Sequence, residues 1–126
     1  MKDELKYSFG KFKEAVKKLD DGIKQVKDQL DQDGVIQRFE FTFELLWKTL
    51  KLFLTTEGIT TKSPKEAFRF GLLEDANIFL DMLEDRTQTA HIYSEDISNK
   101  IYHRIKNKYL KAIKTLQKEL QKRIDN

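Results

Sequence analysis

The chain has 126 residues, with 24 Lys and Arg against 21 Asp and Glu, giving a formal net charge of +3. Its length predicts one domain across residues 1–126, and a charge this small does not by itself indicate nucleic-acid binding. Cysteine is absent, which excludes a disulfide framework and a thiolate nucleophile. The charged N-terminal residues and the lack of a long apolar run lead us to expect no signal peptide, no membrane span and a cytoplasmic location.

The first predicted helix runs from about Asp3 to Leu30. Apolar residues recur in this segment at alternating spacings of four and three, which predicts a long, narrow apolar stripe on one helix face. The polar run at residues 31–34 interrupts the pattern and predicts a turn.

The second predicted helix runs from about Val35 to Glu57 and ends at Gly58, a suitable residue for a helix C-terminus. It is apolar around more of its circumference than the first helix. We therefore expect it to be the most buried helix, or to meet another copy of the chain.

Ser63 and Glu66 then form a capping box, and Pro64 suits the first helical position. Together they predict a short helix from about Pro64 to Leu73. The apolar spacing then predicts a further helix that ends at about Arg86 or slightly beyond.

The apolar period is lost from Thr87 to Tyr93. Ser94 then provides an N-cap for a last helix that extends nearly to the C-terminus. No segment shows the alternation of a β-strand. The predicted fold is therefore all-α: an antiparallel up-down four-helix bundle with an extra short helix.

Charge is distributed unevenly along the second half of the chain. Residues 71–85 contain five acids and no Lys or Arg, whereas residues 104–123 contain eight Lys and Arg and one acid. One interpretation is that neighbouring helices place complementary charges side by side. The other is that the basic helix guides RNA.

The residues with the clearest potential for chemistry lie at the junction before the last helix. Arg86 offers planar donors for a phosphate, and His91 is of the residue type that moves protons near neutral pH. Together they suffice for metal-independent RNA cleavage, in which a ribose 2′-hydroxyl attacks its own phosphodiester. Tyr93 would orient the substrate or accept a nucleotidyl group. Arg86 and His91 converge only if the helix ends between them, or if two chains contribute.

A purely structural interpretation of the same residues remains open. Arg86 would then pair with Glu84, Asp85 or the carbonyls at the helix end, His91 would cap a turn, and Tyr93 would pack against the bundle. The spacing of the two histidines does not suggest a metal site, and no Gly-rich phosphate loop is present. We therefore expect no metal and no cofactor.

Four sequence blocks resemble one known family. Arg86-x4-His91-x-Tyr93 matches the R-x(4–6)-H-x-Y motif of the HEPN superfamily. The blocks at 39–48, 63–69 and 82–86 are similar to the superfamily's branch of nucleotidyltransferase substrate-binding proteins.

The resemblance implies a homodimeric helical bundle whose partner is a minimal nucleotidyltransferase. It implies a toxin–antitoxin pair in which the HEPN chain is a ribonuclease, with the Arg and His of both protomers lining a shared cleft. Mapped onto this sequence, Arg86 and His91 would be catalytic. Tyr93 would be the residue that the partner silences by adding AMP.

One position departs from the nuclease members of this family. They usually carry Asn, Asp or His after the arginine, whereas this chain carries Thr87, which can still support the site through a hydrogen bond but reaches less far. Two other functions therefore stay open. One is a non-catalytic subunit that binds substrate for the nucleotidyltransferase, and the other is a helical interaction module unrelated to nucleotides.

Overall fold

The computed structural model describes residues 2–60, 66, 71–72, 75–91 and 94–125. This part of the chain is helical and contains no strand, so the predicted all-α bundle is confirmed. Its elements are α1 (Lys2–Lys24), α2 (Gln29–Thr56), α3 (Ala76–Thr89), α4 (Glu95–Arg104), a π-helical turn (Ile105–Tyr109) and α5 (Leu110–Asp125).

Helices α1 and α2 form an antiparallel hairpin. Near one end the hydroxyls of Ser8 and Thr49 lie 2.7 Å apart, and near the other end the Arg38 guanidinium donates to the Lys18 carbonyl at 2.5 Å. Residue numbers thus rise along α1 as they fall along α2, which is the arrangement that a short connection between neighbouring helices favours.

The connection between these helices lies earlier than the sequence pattern predicts. Because α1 ends at Lys24 and α2 begins at Gln29, residues 31–34 belong to the first turns of α2. The predicted extension of the first helix to Leu30 is therefore wrong, as is the predicted start of the second at Val35. The Leu30 side chain is 78% exposed and does not continue the apolar stripe.

Two aspartates account for the early start of α2. The Asp28 carboxylate accepts a hydrogen bond from the Asp31 amide at 2.9 Å, and the Asp31 carboxylate accepts one from the Lys27 amide at 2.9 Å. This reciprocal capping satisfies amides at the helix start that have no partner within the helix. It offsets the cost of roughly 1 kcal/mol for placing Gly34 inside a helix.

The predicted end of the second helix is confirmed. Helix α2 stops at Thr56, and Gly58 adopts a φ of +78° that most side chains disfavour. The helix provides ten buried residues, in agreement with its broad apolar surface. These are Val35, Ile36, Phe39, Thr42, Phe43, Leu46, Thr49, Leu50, Phe53 and Leu54.

Helices α3 and α4 pack against α2, whereas α5 packs against α1. The ring of Phe79 on α3 lies 5.8 Å from that of Phe43, and the Tyr109 ring stacks on Phe39 at 5.5 Å. Ser94 caps α4 as predicted, since its hydroxyl accepts a hydrogen bond from the amide of residue 97. Aromatic contacts thus join α3 and the π-helical turn to α2.

Two predictions fall largely outside the described residues. The capping residues Ser63 and Pro64 are not described, and of the predicted extra short helix only Glu66, which is helical, and residues 71–72 are described. Within the described ranges, no helix combines the length and the apolar content needed to cross a membrane.

Candidate functional site

Arg86 lies in the last turn of α3 and its side chain reaches α2. Its Nη1 atom is 3.2 Å from Oε2 of Glu40, and its Nη2 atom donates to Oε1 of Glu44. The two glutamates are four residues apart, so they share one face of α2. One guanidinium therefore bridges α3 to two carboxylates, with 24% of its side chain exposed.

These partners differ from those that the structural interpretation suggested for Arg86. The side chain pairs with neither Glu84 nor Asp85, because it crosses to the neighbouring helix. The buried Nε atom of Arg86 has no hydrogen-bond partner among the described residues. The two Nη atoms of the guanidinium are thus held by carboxylates, whereas its Nε atom is not.

Asp85, the neighbour of Arg86, has its partners on a different side of α3. It is 5% exposed and accepts hydrogen bonds from Arg104 at 2.8 and 2.9 Å and from the Tyr109 hydroxyl at 2.5 Å. Burial, and then the hydrogen bond to Asp85, raise the pKa of the Tyr109 hydroxyl. The hydrogen bond to Asp85 likewise raises the pKa of Arg104. Asp85 and Arg86 thus anchor the C-terminal half of α3 on two sides.

Helix α3 ends between Arg86 and His91. It stops at Thr89, and the amides of residues 90 and 91 donate to carbonyls three residues earlier, in tighter turns than those of an α-helix. His91 is exposed after this turn. The helix thus ends slightly beyond Arg86, as predicted, and it ends between the two residues.

The structure says less about Thr87 and Tyr93, the other two predicted site residues. Thr87 is exposed, and its hydroxyl donates to the Leu83 carbonyl at 2.9 Å, within its own helix. Tyr93 lies outside the described residues. Among the residues that the structure describes, no group of three or more His, Asp or Glu side chains could hold a metal ion.

The contacts of Glu40, Glu44 and Asp85 with their arginine partners were not predicted from the sequence. A signal for the first two was present: acids spaced by four lie on one face of a helix and can share one cationic partner. No local signal separates Asp85 from the neighbouring exposed acids, because its burial depends on which face of α3 meets the last helix.

Comparison with known proteins gives the family. The family described as "Nucleotidyltransferase substrate binding protein like" matches residues 4–122, which is nearly the whole chain. The chain belongs to this family. The resemblance found in the four sequence blocks is thereby confirmed.

A curated relative supports the same assignment. The protein named "Probable ribonuclease HepT" of Haemophilus influenzae is 32% identical over 81 residues. The match covers 57% of this chain and 56% of the relative, so the similarity spans a little over half the length of each protein. This nucleotidyltransferase substrate-binding-like chain is therefore similar to a protein whose name includes ribonuclease activity.

Proposed function

We propose that the chain is a metal-independent endoribonuclease in which Arg86 and His91 act on one phosphodiester. The observation that carries the proposal is the end of α3 between these two residues, which allows them to turn towards a common substrate. The name of the curated relative supports the same activity. RNA substrates are found in the cytoplasm, and a chain without cysteine suits that reducing compartment.

The reaction would be an internal transfer. The ribose 2′-oxygen forms a bond to phosphorus as the bond from phosphorus to the 5′-oxygen breaks, leaving a 2′,3′-cyclic phosphate and a free 5′-hydroxyl. One His91 would take the proton from the 2′-hydroxyl, and His91 of a second copy would donate one to the leaving oxygen. Arg86 would stabilise the charge that develops on the phosphoryl oxygens.

A homodimer is part of this proposal. Leu83 precedes Arg86 by one turn and is 41% exposed, while Ile97 in the first turn of α4 is 37% exposed. Both large apolar side chains flank the helix end that carries Arg86 and His91. A second copy covering them would bring two sets of these residues together.

Glu40 and Glu44 would orient the Arg86 guanidinium. A bound phosphate must share that guanidinium with two carboxylates, which weakens its binding but fixes the direction of the free N–H groups. Thr87 would support the site through its exposed position beside Arg86, although its hydroxyl proton is already donated within α3.

The nucleotidyltransferase partner would silence the enzyme, completing a toxin–antitoxin pair. In that step the Tyr93 hydroxyl attacks the α-phosphorus of ATP, an O–P bond forms, and pyrophosphate leaves. The family description supports a partner of this class. Incubation with that partner, ATP and magnesium is expected to add one or more AMP groups to Tyr93. An unchanged intact mass would contradict this step.

Cleavage of RNA in the presence of a chelator tests the central claim. The wild-type chain is expected to yield cyclic phosphate ends, whereas His91→Ala and Arg86→Ala are expected to lose at least about a hundredfold in rate. The matched control is His103→Ala, which removes the chain's only other histidine from an exposed position on α4. Equal activity in His91→Ala and wild type would disprove the assignment.

A second candidate is a non-catalytic subunit that binds substrate for the nucleotidyltransferase. Two observations favour it: both terminal nitrogens of Arg86 face carboxylates, and the Thr87 hydroxyl is used within its helix. If wild type and His91→Ala are equally inert towards several RNAs while the chain still binds the nucleotidyltransferase, this candidate replaces the first. Family membership argues against the third option, a module unrelated to nucleotides.

A further inference from the structure

An exposed aromatic groove follows the seam between α1 and α2. Tyr7 of α1 is 66% exposed and Phe41 of α2 is 60% exposed, and both side chains line the groove. Large apolar side chains that share one water-exposed surface indicate an interaction site. Neither Arg86 nor His91 lines the groove, so it is separate from these two proposed catalytic residues.

The groove contains two hollows, and Phe41 lines both. The first, of about 240 Å³, lies beside Ser8 and Leu45, and the second, of about 310 Å³, lies beside Ala15 and Thr42. Both volumes are at or below the lower end of the range for small-molecule sites, roughly 300–1,000 Å³. Each hollow therefore suits an inserted side chain better than a free ligand.

The hydroxyl protons in the two hollows are already used. Thr49 donates its proton to the Leu45 carbonyl, so Ser8 donates to the Thr49 hydroxyl at 2.7 Å. In the second hollow, the Thr42 hydroxyl donates to the Arg38 carbonyl at 2.7 Å. The edges of a nucleic-acid base would find few free partners there, whereas an apolar side chain needs none.

The rim of the groove is basic. The residues that line the two hollows include four cations, Lys11, Lys18, Arg38 and Lys48, and one acid, Glu4. Within the described ranges, neither Lys18 nor Lys48 has an ion-pair partner, and the Arg38 guanidinium donates to a backbone carbonyl. This excess of positive charge around an apolar groove is complementary to an acidic partner that carries apolar residues.

The same charges argue against a second copy of this chain in the groove. A two-fold contact presents the same patch on both copies, so the two sets of cations would face each other. Such juxtaposed like charges disfavour the contact. The homodimer proposed above uses a different surface, at Leu83 and Ile97.

The walls of the groove favour a helical partner. Both walls are α-helices, and the backbone amides and carbonyls of their central turns are paired within each helix. An extended segment would therefore find no backbone partners in the groove, whereas a helix pairs its own backbone groups. Side chains of a third helix can pack into the groove between two neighbouring helices.

The separation of the two hollows specifies the spacing of the partner's apolar residues. Ser8 and Ala15 mark the two hollows on α1 and are seven residues apart, which is about 10 Å along the helix axis. Residues seven apart on a partner helix have the same separation and lie on nearly the same face.

We propose that the groove binds an acidic amphipathic helix of a partner protein. Two large apolar residues of that helix, seven positions apart, would enter the hollows on either side of Phe41. Flanking Asp or Glu residues would pair with the cations of the rim. The proposal does not depend on ribonuclease activity, because neither Arg86 nor His91 takes part.

Fluorescence anisotropy of the full chain with three labelled synthetic peptides tests the proposal. The first peptide is an Ala-based helix of about sixteen residues, with Leu at two positions seven apart and Glu beside them. The second moves one Leu two positions further, to the opposite face, and the third replaces Glu by Lys. The first is expected to bind with micromolar affinity, at least about tenfold more tightly than the others, and less tightly as salt rises.

Substitutions at exposed positions locate the binding. Phe41→Ala is expected to weaken binding of the first peptide about tenfold, because Phe41 lines both hollows. Its control is Leu30→Ala, which removes an apolar side chain that is 78% exposed on α2 but lies outside the groove. Lys48→Gln should weaken binding about threefold, whereas Lys106→Gln, an exposed charge away from the groove, should leave it nearly unchanged.

Several results would overturn the proposal. They include no binding of the first peptide, equal affinity for the first two peptides, and equal losses in Phe41→Ala and Leu30→Ala. Single-stranded RNA that binds the His91→Ala chain more tightly than the peptide does, and loses that binding when Phe41→Ala is added, would assign the groove to RNA. A change from dimer to monomer in Phe41→Ala, measured by light scattering, would assign it to a second copy.

Discussion

Asp85 on α3 and Arg104 at the end of α4 form a bidentate ion pair, with N–O distances of 2.8 and 2.9 Å. The pair joins the acidic stretch at 71–85 to the basic stretch at 104–123. At this contact the uneven charge distribution serves helix packing, as the first interpretation proposed. The Tyr109 hydroxyl completes the arrangement from the next turn.

Replacement of Asp85 should destabilise the bundle. Asp85→Ala leaves the Tyr109 hydroxyl and the Arg104 guanidinium without their acceptor, and we expect the free energy of unfolding to fall by about 2–3 kcal/mol. The expected loss is below that of a fully buried pair because 36% of the Arg104 side chain is exposed. Urea denaturation measures it. Asp81→Ala, an exposed acid one turn earlier, should change stability by less than about 0.5 kcal/mol.

Tyr109 should give the chain a distinctive alkaline pH dependence. Burial raises the pKa of its hydroxyl, so the folded state keeps the proton at a pH where the unfolded chain releases it. The stabilisation is therefore complete below about pH 10, the usual tyrosine pKa, and is lost as pH rises above it. Urea denaturation from roughly pH 8 to 11 should show a steeper loss in wild type than in Tyr109→Phe.

The matched control for this titration is Tyr7→Phe, because Tyr7 is 66% exposed. It should follow the wild-type pH dependence. At neutral pH, Tyr109→Phe should itself cost about 1 kcal/mol, since the hydrogen bond to Asp85 is lost while the ring can still stack on Phe39. Parallel curves for wild type and Tyr109→Phe would count against the proposed pKa shift.

The buried hydroxyls of Ser8 on α1 and Thr49 on α2 should contribute to stability as an energetically coupled pair. Thr49 donates its proton to the Leu45 carbonyl, so Ser8 must be the donor in the 2.7 Å contact between Ser8 and Thr49. Thr49→Val leaves the buried Ser8 hydroxyl without its acceptor, and the free energy of unfolding should fall by about 1–2 kcal/mol. The double variant with Ser8→Ala should cost less than the sum of the single ones, by about 1 kcal/mol in a double-mutant cycle. Additive losses would show that the contact contributes little.

Glu44 should control the affinity of the proposed ribonuclease for RNA. Its carboxylate competes with the substrate phosphate for Arg86, so Glu44→Gln should lower KM about threefold. The kcat should stay within about twofold, because Glu40 still orients the guanidinium. The control is Glu84→Gln, which neutralises an exposed carboxylate on α3 and should leave KM nearly unchanged. A raised KM in Glu44→Gln would contradict competition between carboxylate and phosphate.

Helix ends were predictable where a single local signal operated. Ser94 and Gly58 act through their own side chain or backbone preference, and both mark helix boundaries in the structure. The start of α2 was misplaced because acids and a glycine at 31–34 resemble a turn, whereas Asp28 caps the helix first. A turn at residues 31–34 and a helix that is capped by Asp28 differ in which hydrogen bonds form, and composition does not reveal those bonds.

The π-helical turn left a trace in the sequence that was not interpreted. Apolar residues recur at a constant spacing of four from Ile97 to Ile113. An α-helix repeats every 3.6 residues, so such a pattern drifts around its surface unless the helix widens. The turn at Ile105–Tyr109 provides that widening, and Ile101, Ile105, Tyr109 and Ile113 are all buried, whereas Ile97 at the start of the series is exposed.

The sequence by itself determined the all-helical bundle, the principal helices and the junction that carries Arg86 and His91, because periodicity and capping act over a few residues. Only the tertiary structure decided that Arg86 pairs with Glu40 and Glu44, that Asp85 is buried against Arg104, and that Phe41 lines two hollows between α1 and α2. These relationships join residues far apart in the chain. They depend on the rotation of each helix about its axis, which the packing of all the helices fixes together.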